Sequence, residues 1–446
     1  MDRRKVGALA FTAMLAAAAC QPAGAPSAAP SASAGGGTET TAPSEAATCD
    51  KGTVKVAVEL PFQGSEFAAS DPILKGVRLA LKDSGGCVGG YTVEVPDAVV
   101  YDDSVNGAHD AQTGARNMQA IAADPEIIAA IGPLNSSVAL AQIPISNEAG
   151  LLQCSPANTA EGLTKPDFGA LDVRKANPDK INYVRVVTTD DKQGPAAAVY
   201  TVNTLGAKNI YIIDDTETFG AGIAKNYEAE AIKLGATIVG HDSAPKTTTD
   251  YGPLMTAAAA KKPDAIYFGG VTSTGGARIL KAAVQAGLGD IPYVGSDGIN
   301  DGSVASVDSF LNLAKDDAKN SYSTLAAIGD FPGKAEFDAA YRAEYDVDPG
   351  SYSGTGYSCM IVVLDALKRA AEGSPADMAA LREAVRAAAV DPSITYTAPI
   401  GEFSFDENGD TSQLIISLYA YDPAAPTGQG AVTGNWVFKE QVDYAQ

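Results

Sequence analysis

Asn135, Ser136 and Ser137 open an apolar-periodic stretch through Val138, Ile143 and Ile145, and Ser155 to Thr159 follow the next short strand. Hydroxyls at the start of a helix stand beside free backbone N–H groups and the positive end of the helix dipole. That combination holds a carboxylate or a similar anionic group. The alternative is that Ser136 and Thr159 only cap helices.

Two strands must position these loops. Ile127 to Ile131 is a short apolar run stopped by Gly132-Pro133, and Leu151 to Cys154 reads as the strand after it. Parallel strands joined by right-handed crossovers put their carboxyl ends together, so both loops reach one crevice. The same alternation begins earlier, with strand Val54–Leu60, a helix from about Pro72 to Lys82, strand Tyr91–Tyr101 and a helix from about Ala108 to Ala122. A second series follows Tyr183–Thr188. It runs through helix Pro195–Leu205, strand Asn209–Ile213, helix Ala221–Leu234, strand Thr237–Gly240, helix Tyr251–Ala260, strand Ala265–Phe268, helix Gly276–Ala286 and strand Tyr293–Gly295. Two doubly wound α/β lobes are expected, since a body of this length exceeds one ordinary core.

Other clusters offer less chemistry. Asp406 to Asp410 alternates acidic oxygens, but its glycine is misplaced for a calcium loop, so it reads as a turn after a strand. Asp214, Asp215 and Glu217 have no histidine or lysine beside them and do not suggest a metal or phosphoryl site. With no phosphate-binding loop, nucleophile elbow or zinc spacing, no cofactor, no metal and no enzymatic activity are expected.

The ordered set of motifs resembles the type I periplasmic binding proteins, in particular the leucine/isoleucine/valine-binding branch that serves ABC importers. The set comprises IGPLNSS and SPANT, Tyr101-Asp102-Asp103, Asp190 with Gln193-Gly194-Pro195, Glu217 to Gly220, Tyr267 to Gly270, Gly295 to Gly298 and Gly401 to Asp410. The resemblance spans about Val54 to Asp422 and implies Rossmann-like lobes joined by a three-stranded hinge, with crossings near Val187–Asp190, Thr324–Ile328 and Thr411–Leu414. On that reading strand Ser323–Ile328, the helices Lys334–Tyr345, Tyr357–Ala371 and Ala376–Ala388 and strand Gly401–Phe405 return to the first lobe. Strands Leu414–Tyr421 and Trp436–Phe438 then cross back to the second. The first lobe becomes residues 49–187 with 325–412, and the second 188–324 with 413–446.

The resemblance also implies a ligand set. A carboxylate would be held by Ser136, the backbone of Ala157 and Thr159, with Leu134 and Asn135 lining the same loop, and an ammonium would meet Asp297. Phe219 stands where the family usually has Tyr, while Val271 and Ala69 replace two further tyrosines. Phe67 could restore one aromatic wall. These losses of hydroxyls leave room for a different or larger amino acid than a branched-chain one, for an amide such as urea, or for a short peptide-like compound.

The ends and the charge bound the setting. Asp2-Arg3-Arg4-Lys5 followed by Val6 to Ala19 reads as a secretory signal over residues 1–19, with Cys20 after Ala17-Ala18-Ala19 as the lipidated first residue. Residues 20–48 lack Leu, Ile, Val and aromatics after Cys20 and read as a flexible tether. Cys49, Cys87, Cys154 and Cys359 remain. Cys49 with Cys87 is the preferred pair, and Cys154 with Cys359 form either a second bridge or two buried thiols. With 54 acidic against 32 basic residues, nucleic acid is an unsuitable partner. The expected protein is a monomeric, extracytoplasmic solute-binding lipoprotein working with ABC permease subunits and touching the membrane through its lipid alone. A sensory subunit signalling to a membrane receptor is the alternative.

Overall fold

The structure is a computed structural model that describes residues 48–302, 306–427 and 433–444. The signal segment, Cys20 and nearly all of the tether lie outside the described residues. Among the described residues no helix is long and apolar enough to cross a membrane.

The first sheet runs in the order Cys87–Val88, Tyr91–Glu94, Thr53–Leu60, Ile127–Ile131, Leu152–Ser155, Tyr183–Arg185, with Val100–Asp102 also paired to Thr53–Leu60. All its pairings are parallel except that of the two-residue edge strand. Its strands are covered on both faces, which is why they read as near-continuous apolar runs. Val54, Val56 and Val58 pack toward Ile73, Val77, Val362 and Leu367, whereas Ala57 faces Met118 and Ile121.

The second sheet runs Thr237–Ser243, Asn209–Asp214, Ala265–Gly269, Tyr293–Gly295, Ser321–Leu325, Ile415–Pro426, Thr433–Asp443. Its first five strands are parallel and its last two antiparallel. One face buries Tyr211, Ile213, Phe268 and Phe310, and the other Ile210, Ile212, Tyr227 and Tyr267. The fold is thus two doubly wound α/β lobes.

The chain passes between the lobes at three adjacent places. Thr188 N–H donates to Ala326 O at 3.1 Å, and Ser417 Oγ donates to Ala327 O at 2.8 Å while accepting from Gly329 N at 2.7 Å. Cys154 and Cys359 join the first sheet to the helix Ser353–Glu372 through a disulfide, and Cys49 is bonded to Cys87.

Several expected bounds change. The strand expected at Ser323–Ile328 spans Ser321–Leu325 and pairs with Tyr293–Gly295, so it belongs to the second sheet and only its end leads back to the first lobe. Tyr91–Tyr101 breaks at Pro96, which cannot donate to a ladder, into two short strands separated by a turn of 3-10 helix. The first helix begins at Phe67, ahead of Pro72, because a 3-10 turn at Gly64–Glu66 feeds into it. Ala108 and His109 pair with Ser104–Val105 and precede the helix Ala111–Ala123, which Asp110 caps through Thr113 N–H. Gly401–Phe403 pairs only with Tyr396–Ala398, outside both large sheets.

Candidate functional site

The anion-holding end is built from backbone first. Gly132 has φ +131° and a Cβ there would lie 2.0 Å from Glu59 O, so only glycine turns the chain out of Ile127–Ile131 this tightly. The helix Ser136–Glu148 starts immediately after, with Asn135 at its cap position but with no side-chain cap bond. Asn135 Nδ2 instead donates to Glu66 Oε1 at 2.9 Å. The first N–H groups of the helix therefore lack a capping side chain and remain suited to an anion.

The second loop is fastened to the first. Ser155 Oγ donates to Pro133 O at 3.1 Å and accepts from Asn158 N at 2.9 Å, while Asn158 Nδ2 donates to Leu134 O at 2.7 Å. The Ala157 N–H lies 3.3 Å from Ser155 Oγ, so a ligand carboxylate would share it. Arg185, fully buried, donates to the carbonyls of Asn158 and Ala160 on either side of Thr159 and is paired with Asp410 at 2.6 Å. The turn Asp406–Asp410 serves this anchor.

A cavity of about 70 Å³ lies between the lobes. From the first lobe it meets Leu134, Asn135, Ser136, Ala157, Thr159 and Ala69, and from the second Phe219, Val271 and Asp297. Phe67 is not on its wall. Only one flank of that helix start faces the cavity, and Ala68 and Ala69 occupy it. A larger recess of about 390 Å³ shares Asn300, Asp301 and Ser351 with this wall, and among its other charged groups Lys75 is bound to Asp71 at 2.6 Å and Lys334 to Asp338 at 2.8 Å.

Asp297 opens a 3-10 turn after Tyr293–Gly295. Gly298 next to it has no room for a side chain, since a Cβ would sit 2.3 Å from Gly270 O. The Asp297 carboxylate accepts from Gln193 Nε2 at 2.7 Å and from the Tyr352 hydroxyl. Burial pushes its pKa up to about 6, against the lowering effect of those two donors. Behind Thr159, Asp190 is fully buried, and burial drives its pKa well above the ordinary range against a lowering contribution from the Thr159 hydroxyl.

Sequence reasoning missed the rest of the wall, namely Ser65, Glu66, Ala68, Thr272, Gly298, Asn300, Asp301, Ser351 and Tyr352. It also missed His109, which is 3% exposed. His109 Nδ1 lies 2.8 Å from Glu66 Oε1, and its Nε2 lies 3.7 Å from Glu217 Oε2 of the other lobe. Burial alone would lower the His109 pKa, but Glu66 and Glu217 raise it to about 10. The expectation that Asp214, Asp215 and Glu217 stand apart from histidine and lysine is corrected by the same contacts. His241 Nε2 is 3.2 Å from Asp214 Oδ2 and Lys246 Nζ is 3.0 Å from Glu217 Oε1. These partners come from other elements, so no local window of sequence contains them.

Ser136 and Thr159 of the first lobe and the buried Asp297 of the second thus line one cavity. The family model for periplasmic binding proteins matches residues 53–421, and the chain belongs to that family. The family consists of extracytoplasmic solute-binding proteins rather than enzymes. The chain is 24% identical over 378 residues to the leucine-, isoleucine-, valine-, threonine- and alanine-binding protein of Pseudomonas aeruginosa, covering 83% of this chain and 90% of that one. Its fold is similar to that of the leucine-binding protein LivK of Thermotoga maritima, with TM-score 0.72, 22% identity, and coverage of 88% and 99%. It is also similar to an ABC-transporter solute-binding protein of Rhodopseudomonas palustris in complex with 3,4-dihydroxybenzoic acid, with TM-score 0.67, 20% identity, and coverage of 88% and 98%.

Proposed function

We propose that the chain is the substrate-binding component of an ABC importer and that it captures an amino acid or amino-acid-like solute between its lobes. The observation that carries this reading is the opposition, across one cavity, of Ser136 and Thr159 on the first lobe to Asp297 on the second. Donors on one wall suit a carboxylate, and a carboxylate on the other suits an ammonium. The relatives fit this division. The Pseudomonas protein is named for α-amino acids, whereas the Rhodopseudomonas protein holds an aromatic acid with no amine. Asp297 favours the first type of ligand here.

Closure follows from the same geometry. A zwitterion touches both walls only when the lobes are together, so it shifts their equilibrium toward the closed form. A closed receptor is then presented to permease subunits, with a lipid on Cys20 and the tether behind it keeping the body near the membrane. A thermal-shift screen against amino acids, amides and aromatic acids tests the reading, because a ligand of the folded form raises Tm by mass action. Stabilisation by at least one α-amino acid is expected, and stabilisation by aromatic acids or amides alone would contradict it. Cys20→Ala should release the exported protein from the membrane fraction.

A further inference from the structure

Among the described residues the cavity wall carries three carboxyl groups, Glu66, Asp297 and Asp301, and no lysine, arginine or histidine. Their surroundings differ. Glu66 is held by His109, which also faces Glu217, and Glu217 is in turn bound by Lys246. Those four groups balance in charge. Asp297 would be answered by the α-ammonium of an amino acid, and the ligand carboxylate by the donors of the first lobe. Asp301 remains. Its Oδ1 accepts from Thr272 Oγ1 at 3.0 Å and from Phe310 N at 3.0 Å, both neutral donors.

A neutral ligand side chain would leave that carboxylate without a counter-charge in a closed cleft, a costly arrangement. Burial, with Glu66 adding to it, pushes the Asp301 pKa well above the ordinary range, so without a cation beside it the group is held as the neutral acid, and a cation is what would keep it ionised there. One further acceptor stands in the same wall. Asn135 Oδ1, on a residue 7% exposed, has no hydrogen-bond partner among the described residues. Asn135 cannot turn its amide to satisfy that oxygen without giving up the bond from its Nδ2 to Glu66. The wall therefore has acceptors in excess and needs donors from the ligand.

Resting on the amino-acid reading above, we propose that the ligand carries a second cationic nitrogen on its side chain, paired with Asp301 and with Asn135 Oδ1 accepting from it. The substrate class is a short-chain dibasic amino acid. Ala69, Phe219 and Val271 would cover the methylene stem, and the absence of tyrosine hydroxyls at these positions removes donors that would compete with the ligand's own.

Calorimetric titration of the exported protein with L-ornithine and L-norvaline tests this, since the two differ by the terminal amine alone. Ornithine should bind at least tenfold more tightly. Asp301→Asn should cut ornithine affinity at least tenfold while changing norvaline affinity less than twofold, and retained norvaline binding shows that the variant is folded. Equal affinities for the two ligands, or preference for norvaline, would overturn the inference and leave the amino-acid reading standing. Equal losses for both ligands in Asp301→Asn would also overturn it, because Asp301 would then act only as the cap on Phe310. Absence of binding by any α-amino acid would bring down both.

Discussion

The two walls of the cleft solve opposite problems by different means. The donor wall, around Ser136, Ala157 and Thr159, is made of uncharged groups fixed by short loops at neighbouring strand ends, and its field comes from a helix start. The acidic wall, Asp297 and Asp301 of the second lobe joined by Glu66 of the first, consists of buried carboxyls whose charge is managed by groups from remote elements. A neutral donor costs little to bury when it finds an acceptor. A carboxylate needs partners, so the acidic wall should be the more sensitive to substitution, to pH and to ligand charge.

The largest effect is expected where a partner is removed from a buried charge. His109→Ala leaves Glu66 buried without its cation and should cost about 3 to 5 kcal/mol of stability, read as a large fall in Tm. Because the His109 pKa is raised from 6.5 to about 10, its stabilising contribution is fully present below pH 6.5 and is lost as pH rises through about 10. A pH-independent Tm difference between wild type and variant across that range would remove the ion pair from the account.

Asp297→Asn comes next. It should reduce the affinity of an α-amino acid at least tenfold, with a smaller loss for the same molecule lacking its amine. With a carboxyl titrating at about 6, Asp297 is ionised above that pH and protonated below it, so wild-type affinity for the amino acid should fall as pH drops through 6. The variant should lose that dependence, which separates Asp297 from Asp215, another buried carboxyl held up to about 6 by burial.

On the donor wall, Ser136→Ala and Thr159→Ala should each weaken binding by about 1 to 3 kcal/mol, because a charged acceptor loses a donor in a closed cleft. Here the loss should be equal for the amino acid and its des-amino analogue, the reverse of the Asp297 pattern. The smallest effect belongs to Phe67→Ala. Its side chain is off the cavity wall, so affinity should change by less than about 0.5 kcal/mol whatever happens to Tm.

The same contrast explains what could be read from sequence. Ser136 and Thr159 were visible because each lies within a few residues of a strand end, and strand ends follow from local apolar runs. Asp297 came from the resemblance alone. Glu66 and His109 are 43 residues apart, and Asn135 is 69 residues from Glu66. No periodicity connects them. Tyr352, which holds Asp297, precedes a helix of the first lobe and reaches across the cleft to the second. The strand–helix alternation was likewise legible, since each sheet is buried on both faces, but the three passages between lobes depend on contacts such as Thr188 to Ala326 that no local pattern encodes.

The central claim is that the two walls divide a zwitterion between them, and one calorimetric comparison addresses it directly. The α-amino acid that raises Tm most and its analogue without the α-amine are titrated into wild type and Asp297→Asn at pH 7.5. The division predicts at least a tenfold preference for the amino acid in wild type, collapsing to near parity in the variant. An undiminished preference in Asp297→Asn would place the ammonium elsewhere and contradict it.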